Sequence, residues 1–543
     1  MMSAVNIGGR RDHYDVVIVG SGVGGSMAAH ALVRAGLRVL MIERGSPVRR
    51  GESNWAPDQA LELSPHYTME SHYRLRGDDG GRVGTFQLVG GPSVFYGGVA
   101  FRMRESDFGD CPEVARQSGA AWPYRYSDLE PYYGWAERIL GVAGREGGDA
   151  TAPPRGEAYP SRAPDLAGPA RRVWDAAVGL GHTPSYLPLA IDFSGRGNGA
   201  TACARCGTCD GYACAISAKR EPSTAVLPGL IGRGLTILSN TVVVRLLRRG
   251  GVVIGVECVN RITRRRQRYR ADRYVLAAGA LGSPHLILAS GLHTSSPARD
   301  WVGRCLMRHC NGIVFGLFRR RLEGVREFHK QVAIMDLYGG GDSPKLGCLQ
   351  SIHPPPPGLV RYRAPGFLAR LAEPLANHST GLLAIAEDEP RRENQVGISS
   401  SETDRYGIPR AVLTHRYTER DLRARRQLAR AASEILREAG AAFTKMIRLK
   451  SFSHAVGTLR MGVDPRTSPL DRNSRFRGVE NLWVIDGSFM PRSAAVNPSL
   501  TIAANALFAA EHVAGTKRSL MSAKTRGEVG RNQPLPMIGA TDR

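Results

Sequence analysis

The chain of 543 residues lacks any run of about 20 residues free of charge and strong polarity, so no membrane-spanning helix is expected. Lysine is scarce: seven of the 73 basic residues, the rest being arginine. Acidic residues number only 49, which leaves a formal net charge of +24. A basic surface can attract nucleic acid, anionic lipid or an acidic redox partner. Here the excess is nearly all arginine and no nucleic-acid module accompanies it, so it reads as compositional bias and no nucleic-acid partner is expected. A leader peptide is also not expected, because the apolar stretch after Arg10-Arg11 is itself a strand ending in a glycine turn. The expected location is therefore cytoplasmic, with the nine cysteines as thiols or metal ligands rather than disulfides.

What remains is ordinary globular composition, 42% hydrophobic, in a chain too long for one core. Residues 14–45 read as strand (Tyr14–Val19), helix (Ser26–Ala35) and strand (Arg38–Ile42), with Gly36 placed as a helix C-terminal glycine. Residues 46–80 read as irregular. A helix is expected from Ser127 to about Leu140, followed by an exposed Gly/Pro/Ala-rich loop from Gly141 to Arg171. Strand patterns at 236–277 bend at Arg264-Arg265-Arg266, and those at 332–337, 382–385 and 396–399 suggest a separate sheet. Glu419–Gly440 reads as an amphipathic helix, and residues 516–543 as a basic, disordered tail.

Two motifs carry chemistry. Gly20-Ser21-Gly22-Val23-Gly24-Gly25 follows an apolar strand and opens a helix. Gly20 permits a tight turn, Gly22 lets backbone approach a pyrophosphate, and Gly25 lets helix and strand close. Glu43, 18 residues beyond Gly25, sits where a carboxylate accepts ribose hydroxyls and repels a 2′-phosphate. FAD and NAD both fit this turn. Far along the chain, Ser453-His454-Ala455-Val456-Gly457-Thr458 and Ala495-Val496-Asn497-Pro498 bring a histidine and an asparagine.

Three further segments resemble one family. Gly279-Ala280-Leu281-Gly282-Ser283-Pro284 through Leu292 resembles a signature of the glucose–methanol–choline (GMC) oxidoreductases, departing from it at His293. Val89-Gly90-Gly91-Pro92-Ser93 resembles the family's flavin-contacting turn, and Asn481 to Pro491 its second flavin-pyrophosphate segment. The resemblance implies an α/β fold: a Rossmann-like FAD-binding domain of GMC type with an α+β substrate domain on a largely antiparallel sheet. The implied division is 1–110, 195–310 and 451–515 for the FAD-binding domain, and 111–194 with 311–450 for the substrate domain. It implies FAD, with His454 as catalytic base and Asn497 as its partner. Its cofactor contacts fall on Gly20, Ser21, Gly22, Gly24, Gly25, Glu43 and Arg44, then on Gly90, Gly91, Ser93, Tyr96 and Gly97. Ala278, Asp486, Gly487, Asn497 and Pro498 complete that set. Relatives that tether the flavin use a histidine in the glycine turn. Here Val94, Phe95 and Tyr96 stand there, which implies FAD held without a covalent bond.

The chemistry agrees with these residue types. An alcohol carbon releases hydride readily only as its hydroxyl loses a proton, an imidazole can take that proton, and an amide can hold the oxygen. Cys203-x2-Cys206-x2-Cys209-x4-Cys214 is open between an iron–sulfur cluster, zinc and a metal-free thiol loop; the ferredoxin run differs in its last spacing and in its proline. The metal-free loop is the expectation. Val94 to Arg104 and Trp122-Pro123-Tyr124 resemble bacterial sugar dehydrogenases, and more closely the flavin enzymes of aminoglycoside assembly. That implies a sugar-like or amino-sugar hydroxyl as substrate, with oxygen, a quinone or a redox protein as electron acceptor. Glu387-Asp388-Glu389 offers carboxylates for a cationic sugar, against the alternative of a solvated acidic turn. Two other readings stand beside this one: a member acting on apolar or sterol alcohols, and a flavin or iron–sulfur electron-transfer subunit.

Overall fold

A computed structural model of the chain describes residues 13–515 except 62–63, 65–69, 78–80, 116–117, 196–201 and 340–344; the expected tail lies outside the described residues. Strand β1 (His13–Val19), helix α1 (Val23–Arg34) and strand β2 (Val39–Ile42) form the expected unit. The helix starts three residues earlier than its apolar pattern suggests, because Gly24 and Gly25 are already helical. β1 pairs in parallel with β2 and with Arg266–Leu276, and β2 with Leu235–Leu238. Leu482–Val484 adds a parallel strand to the far side of 266–276, and the antiparallel meander 241–249, 252–260, 266–276 completes seven strands. Val16, Val17 and Ile18 are fully buried, as strands covered on both faces require.

The second large sheet is antiparallel throughout, in the order 443–448, 312–317, 379–386, 347–352, 332–334, 184–186. Helix Glu419–Glu438, capped by the Thr418 hydroxyl, lays Leu428, Ala432, Ile435 and Leu436 against its Val314, Leu349 and Leu382 face. Strand alternation sends Ala333, Cys348, Gln350 and Leu383 to the opposite face, toward the rest of the molecule.

Four expectations need correcting. Val396–Ser399 does not join that sheet. It lies in Gln395–Thr403, which pairs with Pro409–His415, which pairs in turn with Glu70–Gly77. That same pairing makes a strand inside the stretch read as irregular. Nor is 141–171 simply exposed: Val142 and Ala143 are fully buried, because Ala143 exchanges backbone bonds with Leu189. The helix read as capped by Ser127 begins at Tyr126, where the Asp128 carboxylate accepts the Arg125 N–H at 2.8 Å.

Candidate active site

The glycine turn after β1 is built by close backbone approach. A Cβ on Gly20 would strike the Ala277 carbonyl beside Ala278, and one on Gly25 would strike Gly20. One on Gly24 would strike Ile485, which brings the start of α1 against Asp486. Gly22 is different: its Cβ would meet nothing within 4 Å, and no side chain caps the first turn of α1. Open space facing uncapped helix N–H groups suits a pyrophosphate. The residues present therefore fit the implied nucleotide.

The second glycine turn closes directly onto the first. Gly91 approaches Gly22 so closely that a Cβ would lie 2.8 Å from its Cα, and the Gly90 N–H donates to Ser21 Oγ at 3.0 Å. Ser21 Oγ in turn donates to Glu43 Oε2 at 2.6 Å, and the Gly45 N–H holds Oε1 at 2.8 Å. Glu43 thus ties the two turns together as well as ending β2. Arg44 lies 6.0 Å from the Tyr406 ring, and Ser93 Oγ bonds the Gly90 carbonyl. Asp486 is buried with its carboxylate filled by the Gly279 and Ser488 N–H groups and the Ser283 and Ser488 hydroxyls; burial pushes its pKa up. It clasps Gly279–Ala289 (α2) to Gly487–Phe489.

The cysteine loop braces this turn. Lys219, 1% exposed, donates to the carbonyls of Tyr96, Cys209 and Tyr212 at 2.7–2.8 Å, and the Tyr96 hydroxyl donates to the Arg220 carbonyl. Gly97 carries no side chain because the Asp210–Lys330 ion pair occupies that space. Burial pushes the Cys203 thiol up to about 11, and burial also raises that of Cys209 well above its ordinary value. Cys206 Sγ sits 3.1 Å from the Thr208 hydroxyl, and Cys214 Sγ accepts the Lys219 N–H. Among the described residues no three thiol, imidazole or carboxylate groups converge as metal ligands.

The histidine segment explains its own spacing. The Val456 N–H and carbonyl pair with Met307, Gly457 N–H donates to the Gly487 carbonyl, and the buried Thr458 hydroxyl donates to the Ala280 carbonyl at 2.6 Å. Gly457, at φ +97°, passes where a side chain would strike the Cys305 carbonyl. His454 so held lies with Nδ1 2.9 Å from His309 Nδ1. His309 Nε2 lies 3.0 Å from the Ser493 carbonyl, which can only accept, so that nitrogen carries the proton. His309 Nδ1 is then an acceptor and His454 Nδ1 donates to it. The lone pair of His454 Nε2 then has no partner among the described residues. Burial, helped by His309 and Lys330, pulls the His454 pKa down to about 3, and burial lowers that of His309.

Asn497, just before Pro498 and helix α3 (Ser499–Ala514), is oriented from the antiparallel sheet: Gln350 Nε2 donates to its Oδ1 at 2.8 Å. Its Nδ2 has no partner among the described residues. His309, at φ +60°, and Ala494, at φ +57°, are non-glycine residues in the left-handed region. Asp388 pins the first by accepting the Arg308 and His309 N–H groups at 2.8 and 3.0 Å. Glu387 pins the second through the Ala494 N–H and neutralises Arg492 and Lys345. These carboxylates are 0% and 1% exposed, and Glu389 accepts the Thr418 hydroxyl. The acidic triplet is therefore neither a solvated turn nor a cation-recognition surface. His309, Gln350, Asp210 and Lys330 carry no local motif that marks them in the sequence. The few lysines of an arginine-rich chain are the available signal for Lys330.

Comparison with known proteins agrees. Models of the GMC oxidoreductases match residues 192–311 and 390–506, and an FAD binding domain model matches 15–59. The chain is 32% identical to paromamine 6'-oxidase of Streptomyces fradiae, over 92% of this chain and 91% of that one. It is 33% identical to 6'''-hydroxyparomomycin C oxidase of Streptomyces lividus, over 91% and 90%. Its fold matches pyridoxine 4-oxidase of Mesorbium loti with a TM-score of 0.66 at 22% identity, covering 93% of this chain and all of that one. The chain belongs to the GMC oxidoreductase family and is an FAD-dependent alcohol oxidoreductase.

Proposed function

We propose that this protein oxidises the primary hydroxyl of an amino sugar to an aldehyde, with His454 as base and Asn497 as oxygen holder. The observation that carries the reading is a pair of unpartnered groups, the His454 Nε2 lone pair and the Asn497 Nδ2 donor, each fixed from behind by a buried side chain. Bound FAD supplies the hydride acceptor. The hydroxyl proton passes to His454 Nε2, while Asn497 Nδ2 donates to the same oxygen as negative charge grows on it. In this reading Gly20, Ser21, Gly22, Gly24, Gly25, Gly90, Gly91 and Ser93 cradle the nucleotide, with Glu43 and Arg44 at its ribose. Tyr96, Gly97, Ala278, Asp486, Gly487 and Pro498 close around it, and the two large sheets divide nucleotide from substrate.

The choice of amino sugar rests on the two Streptomyces relatives, whose names give amino-sugar oxidases, and on a polar wall. Gln350 Oε1 is buried without a partner. Leaving such a group against an apolar alcohol costs about 1–3 kcal/mol, whereas a hydroxyl or ammonium satisfies it. Anaerobic flavin bleaching against glucosamine, neutral sugars and fatty alcohols tests the reading. Amino sugars should bleach the flavin fastest, and His454→Ala should abolish bleaching. Bleaching by fatty alcohols alone would sink the amino-sugar reading.

A further inference from the structure

The recognition of a cationic sugar must come from somewhere other than Glu387–Glu389, all of which are engaged inside the protein. A cavity of about 300 Å³ opens at the edge of the antiparallel sheet, lined by Phe101, Arg102, Arg104, Asp149, Tyr159 and Ser185 among others. It is not an anion site, because each of its arginines already holds a carboxylate. Arg102 pairs with Glu130 and Glu137 at 2.9 and 2.8 Å, and Arg155 with Glu137 at 2.6 Å. Arg104 pairs with Asp149 and Arg145 with Asp165.

What is left over is acceptor capacity. Ser185 is 3% exposed, lines the cavity, and its Oγ has no hydrogen-bond partner. Glu146 also lines the cavity, is exposed, and makes no ion pair among the described residues. Buried orphan hydroxyls are uncommon because each forfeits a hydrogen bond to water. The sheet relates this cavity to the catalytic amide. Ser185 pairs with Ala333, and Ala333 pairs with Gln350, which holds Asn497. The three share one row and one face, and two strand spacings separate Ser185 from Gln350 by about 10 Å.

We infer that this cavity is a second-ring subsite: it takes a ring bearing hydroxyl and ammonium groups that lies beyond the ring being oxidised. A ring hydroxyl satisfies Ser185 Oγ, and an ammonium sits at Glu146. The inference rests on the amino-sugar reading for its biological role, but the subsite can be tested alone.

The probe is 2-deoxystreptamine, a ring of this chemistry, titrated calorimetrically into the FAD-loaded enzyme. The wild type should bind it saturably. The double variant Glu146→Gln/Ser185→Ala should bind about tenfold more weakly, the loss expected for one or two polar contacts, with its Tm unchanged. Glu113→Gln, a remote exposed carboxylate, should bind like the wild type. No binding by the wild type, or equal binding by the double variant, overturns the subsite. Glucosamine oxidation decides the parent reading separately. An enzyme that binds 2-deoxystreptamine but oxidises no amino sugar keeps the cavity and loses the reading; one that oxidises glucosamine yet fails to bind the probe does the reverse.

Discussion

With His454 as the proposed base, the His309–His454 bond makes a sharp demand on its tautomer. In the wild type, His454 Nδ1–H has a buried acceptor 2.9 Å away, so the tautomer with a free Nε2 lone pair is favoured. In His309→Leu that N–H has no acceptor, while an N–H on Nε2 can still bond the substrate oxygen. The balance then swings toward the wrong tautomer by about one net hydrogen bond, roughly 1–1.5 kcal/mol. About one molecule in ten keeps the competent form, and the flavin-reduction rate constant should fall about tenfold. Substrate affinity should change far less, since Asn497 remains. Anaerobic stopped-flow reduction separates the two by fitting rate against substrate concentration. A rate constant within twofold of wild type, with His454→Ala still inactive, refutes the tautomer argument. So does a loss that lies entirely in affinity.

Other expectations follow from the same geometry. Because burial lowers the His454 pKa to about 3, the neutral base is fully present above that value; the reduction rate should be flat from about pH 5 to 8, and an acid limb near 6.5 in single-turnover data would contradict this. Gln350→Leu frees the Asn497 amide to rotate and should lower kcat about tenfold while thermal melting shows the fold intact. Gly97→Ala forces a methyl into the Asp210–Lys330 pair and should destabilise the protein by about 1–3 kcal/mol, read as lower Tm and lower flavin content. Burial raises the Asp421 pKa to about 7, above its unfolded value, so its stability contribution is present at low pH and lost as pH rises from about 4 to 7. Asp421→Asn should therefore narrow the Tm difference between pH 5 and pH 8.

The legible parts of the sequence were local ones. The glycine turn and Glu43 announce themselves within a few residues, because close backbone approach is a short-range constraint; His454 and Asn497 stand out through the family resemblance of their segments. His309 and Gln350 act on partners 145 and 147 residues away, and no window of sequence contains both members. Glu387-Asp388-Glu389 was misread for a related reason. Three acids in a row normally face water, but these follow a strand whose eight residues are all buried, and Arg492, Lys345 and His415 arrive from other segments to meet them. The strand 396–399 was assigned to the wrong sheet because period-two alternation gives a strand its faces and says nothing of its neighbours. Lysine usage held a usable clue: Lys219 and Lys330 are nearly inaccessible and Lys345 largely so, each meeting oxygen atoms that hold the site together.

The two adjacent carboxylates at the end of strand 379–386 do unlike jobs, Glu387 serving Ala494 and Arg492, Asp388 serving His309 and Ser493. Side chains that follow a strand inherit its alternation, so a slip of one residue in its pairing would exchange them. The sheet could remain apolar on both faces, since Leu382, Leu383, Ala384 and Ile385 are nearly interchangeable in bulk character. His309, which holds the His454 imidazole, and the Ala494 turn would nevertheless lose their supports together. Pairing fidelity in a strand that touches no substrate thus becomes a quality check on chemistry, and a misregistered molecule would be folded, flavin-loaded and inert.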